Sequence, residues 1–378
     1  MIQFKISAPG KLILCGDNLA MYKKMVVAAS LDLRTRLEFC ELSDNVQTVI
    51  KIEFPDVNLS LTVPLELVLN FFIDFNSDVT DHLKLLKHVQ YFITANGMWT
   101  THEQRFSLQT FFFLFIYMIH SEDLKINPFR VHVTTELPLA AGLGSSSSFA
   151  ACLAGCFLQW GRLQIGESGK FKDIDIENIS EYVKDCEEVI QNYVIQADHD
   201  VCSYGQIVRY YYHNRYKGIK ILNVPRMKIM LIDSQISKSK REQIEQMATQ
   251  FCNKPTNNIL NIMNNMSKQV AGKLSKINDM NAYRLRFTYD ALQILIVLNQ
   301  QFLSYLGMSH PRLDYICKIA KMYGFAGKLT NFDARYAYIL LPPDTPSKNI
   351  INLSTRLITE GFTVRITNVS CDGVRICD

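Results

Sequence analysis

Apolar and polar positions alternate with a period of two in the opening part of the chain. Val46, Thr48, Ile50, Ile52 and Phe54 share one face of an extended segment, and Leu59, Leu61 and Val63 repeat the pattern before Pro64. Residues 2–63 therefore read as strands. The period lengthens to that of a helix over Asp81–Thr94 and Glu103–His120, returns to alternation through Phe129, Val131 and Val133, and lengthens again over Ser145–Leu158 and Ile174–Asn192. Strands are predicted over Gln206–His213 and Met227–Ile232. Helices follow over Glu242–Lys268, Met280–Leu306 and Pro311–Tyr323, and the tail reads strand, helix, strand at Tyr336–Leu341, Ile350–Glu360 and Thr363–Val369. A strand-rich half followed by a helix-rich half with a few strands is the pattern of an α+β protein with two lobes. Their boundary falls between 220 and 240, which divides the chain into 1–225 and 226–378.

Composition narrows the classes of function. The 378 residues give room for about two domains, and 48% apolar with 20% charged residues is an ordinary globular balance. A net charge of +4, spread without a polybasic tract, leaves no electrostatic footprint for nucleic acid. The segment Met1–Ala8 lacks a signal-peptide core, and the longest apolar run, Phe111–Ile119, is about half of what spans a bilayer, so a soluble, cytoplasmic protein is expected. The ten cysteines form no CxxC or Cys/His cluster and suit reduced, buried thiols.

Three segments carry candidate chemistry. Pro138–Ser148, PLAAGLGSSSS, sits between a predicted strand and a predicted helix. Its small residues allow close backbone approach, and the N–H groups of a helix start favour phosphate, whereas the bland alternative is a serine-rich connector. Lys11 follows Pro9-Gly10 in what reads as a solvated turn. Asp198, in the loop sequence Asp198-His199-Asp200, follows a helix bearing Glu187 and Glu188. A helix carboxylate and a loop carboxylate placed this way suit a metal ligand and a base, although solvated acids are the commoner reading.

Together the segments SAPGKLILCGDN (7–18), ELPLAAGLGSSSS (136–148), EEVI…ADHD (187–200) and GKLTNFDARYAYILL (327–341) resemble, in order and spacing, the motifs of the GHMP kinases, most of all the mevalonate kinase branch. The similarity covers nearly the whole chain. It implies an N-terminal lobe like ribosomal protein S5 domain 2 and a ferredoxin-like C-terminal lobe, with the site between them. It implies ATP and Mg2+ as cofactors, mevalonate as the small-molecule partner phosphorylated on its 5-hydroxyl, no nucleic-acid or membrane partner, and allows a homodimer. The loop of Pro138, Ala141, Gly142, Leu143, Gly144, Ser145, Ser146 and Ser147 would wrap the ATP phosphates. Ser146 and Glu187 would hold the metal, Asp198 would take the proton, and Lys11 would stabilise charge beside it.

The departures from the family pattern concern the substrate side. A family histidine is Asn18, the glycines expected before Asp198 are absent, and the third motif's glycine run is Asn331-Phe332-Asp333-Ala334-Arg335-Tyr336. Asn18, Lys240 and Arg335 are the candidate substrate contacts. Two alternatives stay open at this point: a kinase for a related alcohol such as phosphomevalonate, and a non-catalytic relative that binds nucleotide or an isoprenoid precursor.

Overall fold

The structure, a computed structural model, describes residues 1–17, 19–43, 48–72, 81–191, 198–213, 216–236, 257–331 and 335–377. Strand β1 (Gln3–Cys15) runs antiparallel to β2 (Val26–Glu41), and β3 (Val49–Phe54) forms a hairpin with β4 (Leu59–Pro64). Helices α1 (Leu65–Phe72), α2 (His82–Ala95) and α3 (His102–Ser121) lead to β5 (Phe129–Thr135), which lies parallel to β3 and antiparallel to β2. Then come α4 (Ser145–Gln164), α5 (Asp173–Gln191), α6 (Asp198–Tyr204), β6 (Ile207–His213) and β7 (Tyr216–Leu222). The remainder is β8 (Met227–Asp233), α7 (Asn257–Leu274), α8 (Ala282–Tyr305), α9 (Pro311–Met322), β9 (Gly327–Leu329), β10 (Tyr336–Leu340), α10 (Ser347–Thr359), β11 (Thr363–Val369) and β12 (Arg375–Cys377).

One mixed sheet carries these strands in the order β4-β3-β5-β2-β11-β8-β10-β9, with β1, β6, β7 and β12 branching from it. Strand β2 is its spine. Val26–Ala29 pair with β6, Leu31 meets Val369 of β11, and Thr35–Glu41 pair with β5, while β1 follows the opposite edge. The Pro9-Gly10 step does not turn the chain as the sequence suggests. Strand β1 continues through it with a register shift, because a bulge accommodates a residue that has no N–H to give the ladder. Lys11 is consequently a strand residue, 1% exposed, and not a solvated turn lysine.

Burial explains the rest of the pattern. Helix α3 opens with a Thr101/Gln104 capping box and is apolar on every side because other helices and the sheet enclose it; Phe111, Phe112, Phe113 and Phe115 are all fully buried. Strand β8 is covered on both faces: Met227, Ile229 and Leu231 join Val270 and Leu292, while Met230 and Ile232 join Ile316 and Leu353. That is why it reads as a continuous apolar run. The last residues return to the first strand, where β12 pairs with β1, and the buried Arg34 donates to the carbonyls of Asp372 and Gly373 at 2.8 and 2.6 Å.

Most predicted elements sit within a few residues of the expected ones. Differences arise where periodicity is short or absent: α1, α6, β7, β9 and β12 have no counterpart in the pattern, and Asp198, expected in a loop, is the first residue of α6. Residues 242–256 of the helix expected over Glu242–Lys268 lie outside the described residues. The described cysteines are free thiols, and no helix among the described residues is long and apolar enough to cross a membrane.

Candidate active site

The loop between β5 and α4 is shaped by left-handed backbone at Ala140, Gly142 and Gly144, with φ of 53°, 76° and 76°. Gly144 caps α4 without a side-chain hydrogen bond, and the helix ladder begins only with Ser148 N–H donating to Gly144 O at 2.9 Å. The N–H groups of Ser145, Ser146 and Ser147 therefore have no acceptor within the helix, and with the helix dipole they form a seat for an anion. Ser148 is turned the other way: its hydroxyl donates to Ala8 O at 2.8 Å and locks α4 onto β1.

Strand β1 delivers Lys11 under this loop. Its N–H donates to Leu143 O at 2.8 Å, and its Nζ lies 2.6 Å from Asp198 Oδ1 at the start of α6. Neither Nζ nor that Oδ1 makes a hydrogen bond among the described residues, although both are buried. The two are joined by charge alone, which leaves both atoms hydrogen-bonding capacity for a ligand. A Cβ on Gly144 would lie 2.6 Å from Lys11 Cγ, so the glycine is required by close approach as well as by its φ. Gly144→Ala is expected to lose about 1–2 kcal/mol of stability and to lower turnover roughly 100-fold by displacing Lys11, as melting curves and steady-state kinetics would show.

Helix α5 brings Glu187 to the other side of the loop. Its Oε1 accepts from Ser147 Oγ at 2.5 Å and from Gln191 Nε2 at 3.3 Å. Burial, and then the neighbouring Asp198, push this carboxyl up to about 8, against the downward pull of Ser147 and Lys11. Phe106, Thr110, Ser146 and Cys186 line a small cavity against Glu187. A buried acid that holds its proton at neutral pH beside hydroxyl oxygens suits a hard divalent cation, which would displace that proton. No group of three or more acidic, His or Cys residues arranged for a metal occurs among the described residues, so such a cation would complete its shell with phosphate oxygens and water.

A pH dependence follows. Because the folded-state pKa of Glu187 is raised, the ligand-free protein loses stability as pH climbs from about 4.5, where the unfolded chain gives up this proton, to about 8, where the folded chain does. Glu187→Gln is expected to remove that loss. At pH 8 the variant melts higher by the equivalent of roughly 1–3 kcal/mol, and near pH 4 the two proteins melt alike, by calorimetry.

A family model described as the GHMP kinases N terminal domain matches residues 113–194, which include the loop and Glu187. The mevalonate kinase of Dictyostelium discoideum is 27% identical, covering 98% of this chain and 96% of that protein. The mevalonate kinase of Bos taurus is 26% identical, covering 98% and 94%. Among solved structures, Methanococcus jannaschii mevalonate kinase shares the fold with a TM-score of 0.69 at 18% identity, covering 98% of each chain. Over residues 113–194 the chain is thus similar to the GHMP kinases' N-terminal domain, and over nearly its full length to mevalonate kinases. Its α+β architecture is that of the solved mevalonate kinase structure.

The structure brings together Lys11, Asp198, Glu187 and the Gly144–Ser147 loop from four separate segments. It is Ser147 whose hydroxyl bonds Glu187, while Ser146 lines the cavity beside it. Pro138, Ala141 and Gly142 lie upstream in the same loop. Arg335, a candidate substrate contact, forms a bidentate pair with Asp233 of β8, both contacts at 2.6 Å, and Tyr336 Oη donates to the same carboxylate at 3.1 Å. Its charge is thereby matched at the strand end. Asn18 and Lys240, the other candidate substrate contacts, lie outside the described residues, as do Phe332, Asp333 and Ala334.

One pair was not singled out by sequence reasoning. Lys328 on β9, fully buried, has its Nζ 2.9 Å from Asp17 Oδ2 and donates to the carbonyls of Ile13 and Leu329 at 3.1 and 2.7 Å. Asn299 Nδ2 of α8 donates to Asp17 Oδ2 at 3.2 Å. The pair joins the end of the first motif to the third. A lysine between Gly327 and Leu329 in a short strand was the available signal, because a charge inside an apolar strand needs a partner.

Proposed function

We propose that this protein is a GHMP kinase, a mevalonate kinase that transfers the γ-phosphoryl group of ATP to the 5-hydroxyl of mevalonate, giving 5-phosphomevalonate and ADP in the isoprenoid pathway. The observation that carries the phosphoryl-transfer reading is the pair of the buried Lys11 and the half-buried Asp198, 2.6 Å apart, beside the N–H groups that open α4. The choice of mevalonate is supported by similarity over nearly the full length of enzymes that carry that name.

Each residue has a stated task. Backbone N–H groups of Ser145, Ser146 and Ser147 bind phosphate oxygens. Asp198 accepts the hydroxyl proton as that oxygen bonds to the γ-phosphorus and the bond to the ADP oxygen breaks. Lys11 orients Asp198 through their ion pair and offsets charge on the transferring group. Glu187, with Ser146 or Ser147, would hold Mg2+, which when bound neutralises charge on the phosphates. Burial of Lys11 and Glu187 makes each of these interactions stronger than it would be in water.

The test is a coupled ADP-release assay with ATP, Mg2+ and mevalonate, with phosphorus NMR of the product, beside phosphomevalonate and other small alcohols. Mevalonate-dependent ADP release with 5-phosphomevalonate as product is expected. Turnover confined to another alcohol would overturn the substrate, and folded protein that binds ATP yet turns over none would overturn the kinase.

A further inference from the structure

Asp198 is the first residue of a short helix, so its carboxylate stays on Lys11 only if that helix is held in place. What holds α6 in place lies two residues further on. Asp200, 5% exposed, accepts from Ser180 Oγ of α5 at 2.8 Å through Oδ1 and from Tyr210 Oη of β6 at 2.8 Å through Oδ2. Ser180 and Tyr210 are themselves buried.

Ser180 and Glu187 are seven residues apart, two turns along one face of α5. Helices α5 and α6 are thus tied at Ser180 and Asp200, two turns along α5 from Glu187. The Tyr210 bond extends the tie into the sheet: Tyr210 pairs with Val26 of β2, and β2 pairs in turn with β1, where Lys11 faces Ser30. Lys11 is placed by β1 directly, and Asp198 by α6 through Asp200, Tyr210 and β6. Both halves of the ion pair are referenced to one rigid sheet.

We infer that Asp200, braced by Ser180 and Tyr210, is a positioning residue that holds α6, and with it Asp198, on Lys11; in its catalytic consequence this rests on the phosphoryl-transfer reading above. Removing both acceptors with Asp200→Ala lets α6 shift without touching either ligand. Asp200→Asn keeps one acceptor and gains donors that the hydroxyls of Ser180 and Tyr210 are able to accept, and so retains the brace.

The experiment measures kcat and KM for wild type, Asp200→Ala, Asp200→Asn and Asp198→Asn/Asp200→Ala, each normalised to the stoichiometry of fluorescent ATP-analogue binding. Asp200→Ala is expected to lower kcat about 10- to 100-fold with both KM values within about threefold, Asp200→Asn to recover most of it, and the Ala change to have no further effect once Asp198 is Asn. An unchanged kcat, a loss that disappears on normalisation, or an equal loss in the Asp198→Asn background would overturn the proposal. A readout independent of turnover separates its failure from that of the kinase reading. Lys11 acetylation by acetic anhydride, followed by mass spectrometry, is expected to accelerate severalfold in Asp200→Ala, and an unchanged rate would count against the brace even in a protein with no activity.

Discussion

Asp198→Asn is expected to lower the rate of phosphoryl transfer by about 10²–10⁴-fold while ATP binding persists. The amide has the shape of the carboxylate and still presents an oxygen to Lys11, but it cannot take the proton that the attacking hydroxyl must lose. It also removes the negative charge that partners Lys11 Nζ, an atom 2.6 Å away on a side chain 1% exposed. The unpaired ammonium then bears on the γ-phosphate, so nucleotide affinity is expected to stay or rise as turnover falls. Single-turnover kinetics beside equilibrium binding of an ATP analogue separate the two effects. A variant with wild-type turnover would remove Asp198 from the mechanism.

Lys328→Met carries the largest stability effect. Lys328 and Asp17 have fully buried side chains 2.9 Å apart, and truncating one leaves the other an uncompensated buried charge. The expected loss is about 3–5 kcal/mol, a fall in Tm of roughly 6–20 °C for a chain of this size. Asp17→Asn in the same chain is expected to recover most of that loss, because Asn299 is still able to hydrogen-bond the neutral amide and no lone charge remains. Scanning calorimetry of the single and double variants decides it; a single variant melting within a degree or two of wild type would mean that the pair contributes little. The double variant also tests what the pair does beyond stability. If it melts normally yet binds substrate poorly, the ion pair's task is to align the first motif with the third.

These effects were unequally legible in the sequence. The glycine-serine loop, Glu187 and Asp198 stand in motif order, and resemblance supplied their roles. What the residues could not show was burial. Lys11 after Pro9-Gly10 has the local signature of a turn, and only pairing with β2 across a register shift makes it a strand residue. Asp200 looks like one more acid in a polar cluster until Ser180 and Tyr210 close on it. Arg335 looks like a free cation until β10 lies beside β8 and sets it on Asp233.

The sequence by itself determined the larger elements and the kind of site. Periodicity is a local property, so the long helices and the alternating strands announce themselves, and so does a loop of small residues ahead of a helix. The tertiary structure alone decided which charges face each other. Lys328 and Asp17 are 311 residues apart, and Lys11 and Asp198 lie on elements that meet only when α6 packs over β1. Ion pairing falls off with distance in space and is blind to separation along the chain. No spacing rule could have joined these residues, whereas a sheet whose spine touches β1, β5, β6 and β11 joins them at once.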